Sequence, residues 1–172
     1  MQNLLKNLDK EIIPISFILI LALSRLIPHP PNFTPVIAVA IMSSYFFRNI
    51  YLSFATMLIS MLIADFFIGF YAHMFFVYAS LLLVTFIFFN TKWKINFKNL
   101  FIFAFIGSLI FFIISNFGVW IVSSIYEKSF DGLVQCYFLA IPFFKNTFFS
   151  TLIFSYSAFL AHKYIKNEHI DY

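Results

Sequence analysis

The chain has 172 residues, 62% of them hydrophobic and only 10% charged. Soluble domains carry about a quarter charged residues, so a soluble globular core is excluded and an integral membrane protein is expected. The net charge of +4 comes from cations scattered between apolar runs and forms no basic stripe, which speaks against a nucleic-acid partner.

In chain order, residues 1–11 read as a short amphipathic lead-in with Leu4, Leu5 and Leu8 on one side. Lys6, Asp9, Lys10 and Glu11 mix their signs and no small-residue cleavage site follows, so no removable signal peptide is expected. A first span is expected over about 12–27, with Pro14 tolerated in its first turn. The stretch from Arg25 to Pro35 then packs four of the six prolines with a cation, an imidazole and an amide. Pro28, Pro30 and Pro31 lack a backbone donor and end the helix before them, while Pro35 suits the first turn of the next one. Between them the carbonyls are free to bind something. The second span, about 35–47, falls short of the roughly 20 residues a crossing needs. Either the proline loop dips into the bilayer or the span is thin there.

Arg48-Asn49 marks a tight turn, and a third span over about 50–70 carries Asp65 near its end. A fourth span runs over about 73–89, a basic loop with Lys92, Lys94 and Lys98 follows, and a fifth covers about 100–122. Ser123–Ala140 reads as an amphipathic connection and 141–164 as the sixth span. The expected fold is all-α, one integral membrane bundle of six transmembrane helices covering 1–172. Cys136 stands alone, which rules out an intramolecular disulfide and a Cys-x-x-Cys metal site.

With six spans, Lys6, Lys10, Arg48, Lys92, Lys94, Lys98, Lys163 and Lys166 share one side, against Arg25, Lys128 and Lys145 on the other. Cytoplasmic segments collect Lys and Arg, so both termini are expected in the cytoplasm. The polar residues of the spans then gather toward the outer side: Arg25, His29, Asn32, Asp65, His73, Asn116, Trp120 and Lys145 to Thr147. Ionisable groups at membrane depth are costly and usually face a bundle interior or a watery cavity. A one-sided set reads as an outward-facing pocket.

Asp65 wants a cation, and the planar fork of Arg25 is the leading partner. That pair either fixes helix packing or takes part in ligand binding. His29, His73 and Asp65 would be the best metal set, but their spacing matches no local ligand motif and no metal is expected. Asn116 and Trp120, at i and i+4, share a helix face, where an amide and a flat apolar wall suit a pocket. An interfacial belt is the other reading for Trp120. Ser60/Ala64, Ala104/Ser108 and Ser157/Ala161 are small-residue pairs that let helices approach closely. No nucleophile–base pair, Gly-rich phosphate loop or His-Glu-x-x-His is present, so neither an enzyme nor a self-powered pump is expected, and no cofactor.

Arg25-x-x-Pro28-His29-Pro30-Pro31-Asn32-Phe33-x-Pro35, Asp65, Ser115-Asn116-Phe117-Gly118-Val119-Trp120 and Cys136-Tyr137-x-x-Ala140-Ile141-Pro142-Phe143-Phe144-x-Asn146-Thr147 resemble an uncharacterised family of small bacterial membrane proteins. The layout is similar to the S components of energy-coupling factor (ECF) transporters, which implies six helices, cytoplasmic termini and an outer vitamin or metal site. Those proteins often carry an Ala-x-x-x-Ala pair on the first helix for docking the energising subunit; here Ala22 and Ser24 stand two apart. The expectation is a substrate-binding subunit of the bacterial inner membrane for uptake of a small metabolite or vitamin, with the lipid bilayer and a separate ATPase-bearing energising subunit as partners. Its site comprises Arg25, His29, Asn32, Asp65, Asn116, Trp120 and Asn146. A non-transport scaffold with a structural polar cluster is the alternative, and a membrane enzyme using Asp65 and His29 the third.

Overall fold

The prolines act where the sequence places them. The computed structural model describes residues 15–168, and its regular elements there are six helices. The lead-in at 1–11 and the first turn around Pro14 lie outside the described residues. Helix α1, Ile15–Leu26, ends with Ile27 N–H on the Leu23 carbonyl, one residue before Pro28. The loop turns through a bond from Phe33 N–H to the Pro30 carbonyl, with Asn32 at φ 60, a left-handed conformation that Asn tolerates. Pro35 caps α2, Val36–Phe47, and its carbonyl accepts the first bond from Val39 N–H. Arg48 takes a left-handed conformation and reverses the chain. Asn49 then accepts from Tyr51 and Leu52 N–H to start α3, Ile50–Ile68. Gly69, at φ 108, stops α3 in a region that side-chain-bearing residues avoid. Helices α4, Met74–Asn90, and α5, Phe97–Val122, follow, with Asn96 capping α5 through Asn99 N–H.

Helix α6 corrects the sequence reading. It spans Phe130–Glu168, so it begins eleven residues before the expected start at Ile141, and the connection shrinks to residues 123–129. Ser129 opens it, its hydroxyl accepting from Gly132 N–H and its carbonyl from Leu133 N–H. Pro142 lies inside the helix rather than at its beginning. A proline within an apolar helix forfeits one backbone bond, which neighbouring helices can offset.

Helix α2 is the axis of the bundle. Its residues Val36 to Ser44 are all buried, and it packs on α3, α4, α5 and α6. Phe17 of α1 closes the remaining side with edge-on contacts to Phe46 and Phe47. A helix apolar all round is one that is enclosed. This removes the dilemma over its length: at 12 residues, about 18 Å, it is surrounded by protein and need not match a bilayer.

The distribution of side chains runs opposite to that of a soluble domain. Leu19, Ile63, Phe86, Phe105 and Ile153 are exposed on the outside, whereas thirteen serines and threonines and Asp65 are buried among the described residues. Most of those hydroxyls bond their own helix, as Thr85 does to Leu81 O and Thr151 to Thr147 O. Ser44 reaches from α2 to the Thr85 carbonyl of α4, and Ser108 of α5 meets Thr151 of α6. Ser60, Ala64, Ala104 and Ser108 are buried as small-residue pairs should be, but Ser157 and Ala161 face outward. Extensive exposed apolar surface marks an interaction face, here one suited to lipid. Helices α3, α5 and α6 are long and apolar enough to cross a membrane; α1, α2 and α4 are shorter apolar helices, so six equal spans are not what the lengths give.

Candidate functional site

At the end of the bundle that carries the proline loop, Arg25 in the last turn of α1 meets Asp65 of α3. Arg25 Nη2 lies 2.6 Å from Asp65 Oδ1, and the Asp65 side chain is fully buried while that of Arg25 is 14% exposed. The pairing expected from sequence is present. Oδ1 is held by charge contact without an aligned hydrogen bond, and Oδ2 accepts from the Tyr78 hydroxyl of α4 at 2.8 Å. The second guanidinium nitrogen, Nη1, reaches the carbonyl and sulfur of Met61, one turn before Asp65. Three helices are thus tied through one carboxylate.

Beside this pair opens a cavity of about 390 Å³, within the range of small-molecule sites. Arg25, His29, Asn32 and Thr34 form its proline-loop side, and Tyr71, His73 and Thr147 face them. Its apolar floor includes Val36 and Ile37 from the start of α2. His29 Nδ1 lies 2.8 Å from the Pro30 carbonyl. A carbonyl only accepts, so Nδ1 carries the proton and Nε2 is left for another partner.

Tyr71 and His73 lie in the loop between α3 and α4, with ring centroids 4.7 Å apart. Burial, reinforced by the charge of Asp65 and opposed by that of Arg25, pushes the Tyr71 hydroxyl up to about 12, so it stays a neutral phenol. Burial holds His73 below the usual histidine range and favours its neutral form. With Arg25 balanced by Asp65, the cavity carries little net charge, and its polar groups are set in a largely apolar lining. It offers donors from Arg25 and Tyr71, and acceptors at His29 and at the Thr147 hydroxyl oxygen, whose proton is donated to Phe143 O.

The remaining expected site residues sit elsewhere. Asn116 donates to Phe112 O on its own helix, and its carbonyl accepts from the Cys136 thiol of α6. Trp120 Nε1 donates to Glu127 O, and Lys128 lies over the ring while its ammonium bonds the Trp120 and Ser123 carbonyls at the end of α5. Neither Asn116 nor Trp120 lines the cavity. They do share a face, as their spacing requires, but the early start of α6 and the 123–129 loop cover it. Asn146 is also outside the lining; its side-chain N–H donates to Pro31 O at 2.9 Å and fastens the proline loop to α6. Tyr71, Thr34 and Met61 were not singled out by sequence, although Tyr71 falls in a loop at the same end as Arg25. His29, His73 and Asp65 form no metal cluster: among the described residues no three His, Cys, Asp or Glu come together in that way.

No curated protein and no solved structure matches the chain. One family model does, over residues 6–171 and so nearly the whole sequence, and the chain belongs to that family, described as a family of unknown function (DUF6580).

Proposed function

We propose that this chain is a membrane-embedded binding protein that captures a small metabolite for uptake. The observation that carries this reading is the cavity of about 390 Å³ that opens beside the buried Arg25–Asp65 pair. In this reading α2 is enclosed by the bundle and the exposed apolar faces of the other helices meet lipid. The described cations Arg48, Lys92, Lys94, Lys98 and Lys163 lie at the end opposite the cavity, a bias that supports reading that end as cytoplasmic and the cavity as outward-facing. The protein is then a multi-pass component of the bacterial inner membrane with cytoplasmic termini.

In this reading Arg25, His29 and Asn32 contact the ligand, Asp65 holds Arg25 in place, and Asn146 holds the loop. A few polar groups in a largely apolar, near-neutral lining suit a small amphipathic molecule with an accepting group. Energy for uptake comes in this reading from a separate membrane subunit with ATPases.

Native mass spectrometry of the purified protein tests the reading by looking for a retained small molecule. His29→Ala and Asn32→Gly, the latter a residue that suits the left-handed backbone there, should abolish its retention and leave the folded yield unchanged. A wild-type protein that retains none, across preparations from cells grown in rich medium, counts against capture. A scaffold is the second reading, favoured by the fact that Asp65, Asn116, Trp120 and Asn146 all spend their polar atoms on other parts of the chain. It predicts that His29→Ala lowers folded yield.

A further inference from the structure

The opposite end of the bundle holds a second, smaller cleft, between the α2–α3 turn and the loop joining α4 to α5. It has a volume of about 170 Å³ and is lined by Arg48, Thr91 and Trp93 at its mouth and by Ile41, Phe88 and Phe103 below. We propose that this cleft holds the phosphodiester headgroup of an anionic phospholipid.

Four observations converge on that ligand. First, the donors at the mouth are unspent. The Arg48 guanidinium has no acidic or hydrogen-bonding partner among the described residues, where the one ion pair is Arg25–Asp65. The Trp93 indole N–H is likewise without an acceptor there, and Thr91 accepts from Trp93 N–H but leaves its own hydroxyl proton available. Second, the charged side chains described at this end are all cations, with Lys92 and Lys94 flanking the cleft. Third, Arg48 sits at φ 49, a conformation in which a glycine commonly ends a helix. An arginine in place of glycine at such a position points to a use for its charge. Fourth, the wall beneath the mouth is aromatic and aliphatic, and Trp93 stacks on Phe103 while remaining 57% exposed. Tryptophans in that posture mark the headgroup level of a bilayer. Basic pockets between helices on the cytoplasmic side recognise phosphate-bearing headgroups. A free phosphate would satisfy the same donors but would gain nothing from the apolar wall.

The proposal rests on the membrane reading given above but not on the uptake site. It is tested with the full chain in detergent, offered phosphatidylglycerol and phosphatidylcholine in equal amounts, with bound lipid read by native mass spectrometry and stability by thermal unfolding. Wild type should retain phosphatidylglycerol in preference to phosphatidylcholine. Arg48→Gly relieves the left-handed backbone, so its melting temperature should hold or rise, while the preference falls about fivefold, the factor set by about 1 kcal/mol per basic residue at an anionic surface. Lys145→Ala, at the cavity end, should leave the preference intact, and excess inorganic phosphate should not displace the lipid.

Equal retention of the two lipids by wild type overturns the proposal. Displacement of the lipid by inorganic phosphate reassigns the cleft to a free anion and overturns the lipid assignment. If Arg48→Gly lowers the melting temperature and keeps the preference, Arg48 serves the carbonyl end of α2 and the proposal fails. A chain that stays monodisperse without detergent overturns the membrane reading itself, a failure distinguishable from loss of lipid selectivity.

Discussion

Removing either member of the Arg25–Asp65 pair should destabilise the protein, and the two removals should differ. In Arg25→Gln the Asp65 carboxylate remains fully buried, with Tyr78 as its sole hydrogen-bond donor. A stranded buried charge costs about 3–5 kcal/mol. In Asp65→Asn the amide oxygen still accepts from Tyr78, and the stranded cation is one that already lines the cavity. Water entering there can solvate it, so the cost should be that of a charged hydrogen bond, about 1.5–3 kcal/mol. The double variant removes both charges and should be more stable than Arg25→Gln alone. Thermal unfolding in detergent, with folded yield by fluorescence-detected size exclusion, measures all three against wild type. Three indistinguishable variants, or an Asp65→Asn protein less stable than Arg25→Gln, would refute the account of which charge is trapped.

Stability should also depend on pH through His73. Burial lowers its folded pKa below the unfolded value near 6.5, so the unfolded chain binds the proton more readily. Its contribution is fully present above the unfolded pKa and is lost as pH falls from there through the folded value. His73→Gln should flatten that segment of the stability profile, and an unchanged profile would assign the slope to another group. In α5, a Cβ added at Gly118 would lie 2.4 Å from the Phe76 Cβ of α4. Gly118→Ala should therefore lower stability by about 1–3 kcal/mol, and an unaltered melting temperature would contradict the close packing. For topology, single cysteines at Thr34 and Thr91 in a Cys136→Ser background should label from outside the cell at Thr34 only. Labelling at Thr91 alone would invert the orientation.

Sequence legibility followed how local each cause is. The proline loop, the Asn49 turn and the end of α3 at Gly69 are set by backbone chemistry within a few residues, and the sequence places them within one or two positions. Arg25 and Asp65 are far apart in sequence but are each expensive alone, and that shared need identified the pair. The start of α6 was hidden because Pro142 looks like a beginning and because Asp131 and Gln135 look like loop residues. Both fit the first turns of a helix, where an acidic side chain complements the dipole. That error carried over to the site: with 123–140 read as a connection, nothing was available to cover the Asn116–Trp120 face. The enclosure of α2 was illegible for a different reason. Apolar side chains are required whether a helix meets lipid or protein, so composition alone does not distinguish the two.

The position of α2 also bears on how the chain is made. Helices emerge from the ribosome in order, and domains assemble from the N-terminus as synthesis proceeds. The helix at the centre of this bundle is the second of the six among the described residues, so it is delivered before α3 to α6 exist to enclose it. Each later helix can then close against it from the side. Had the central helix been encoded last, it would have had to enter a ring already formed. A permuted gene that moves residues 36–47 to the C-terminus keeps every pairwise contact available, yet it should give far less folded protein in the membrane.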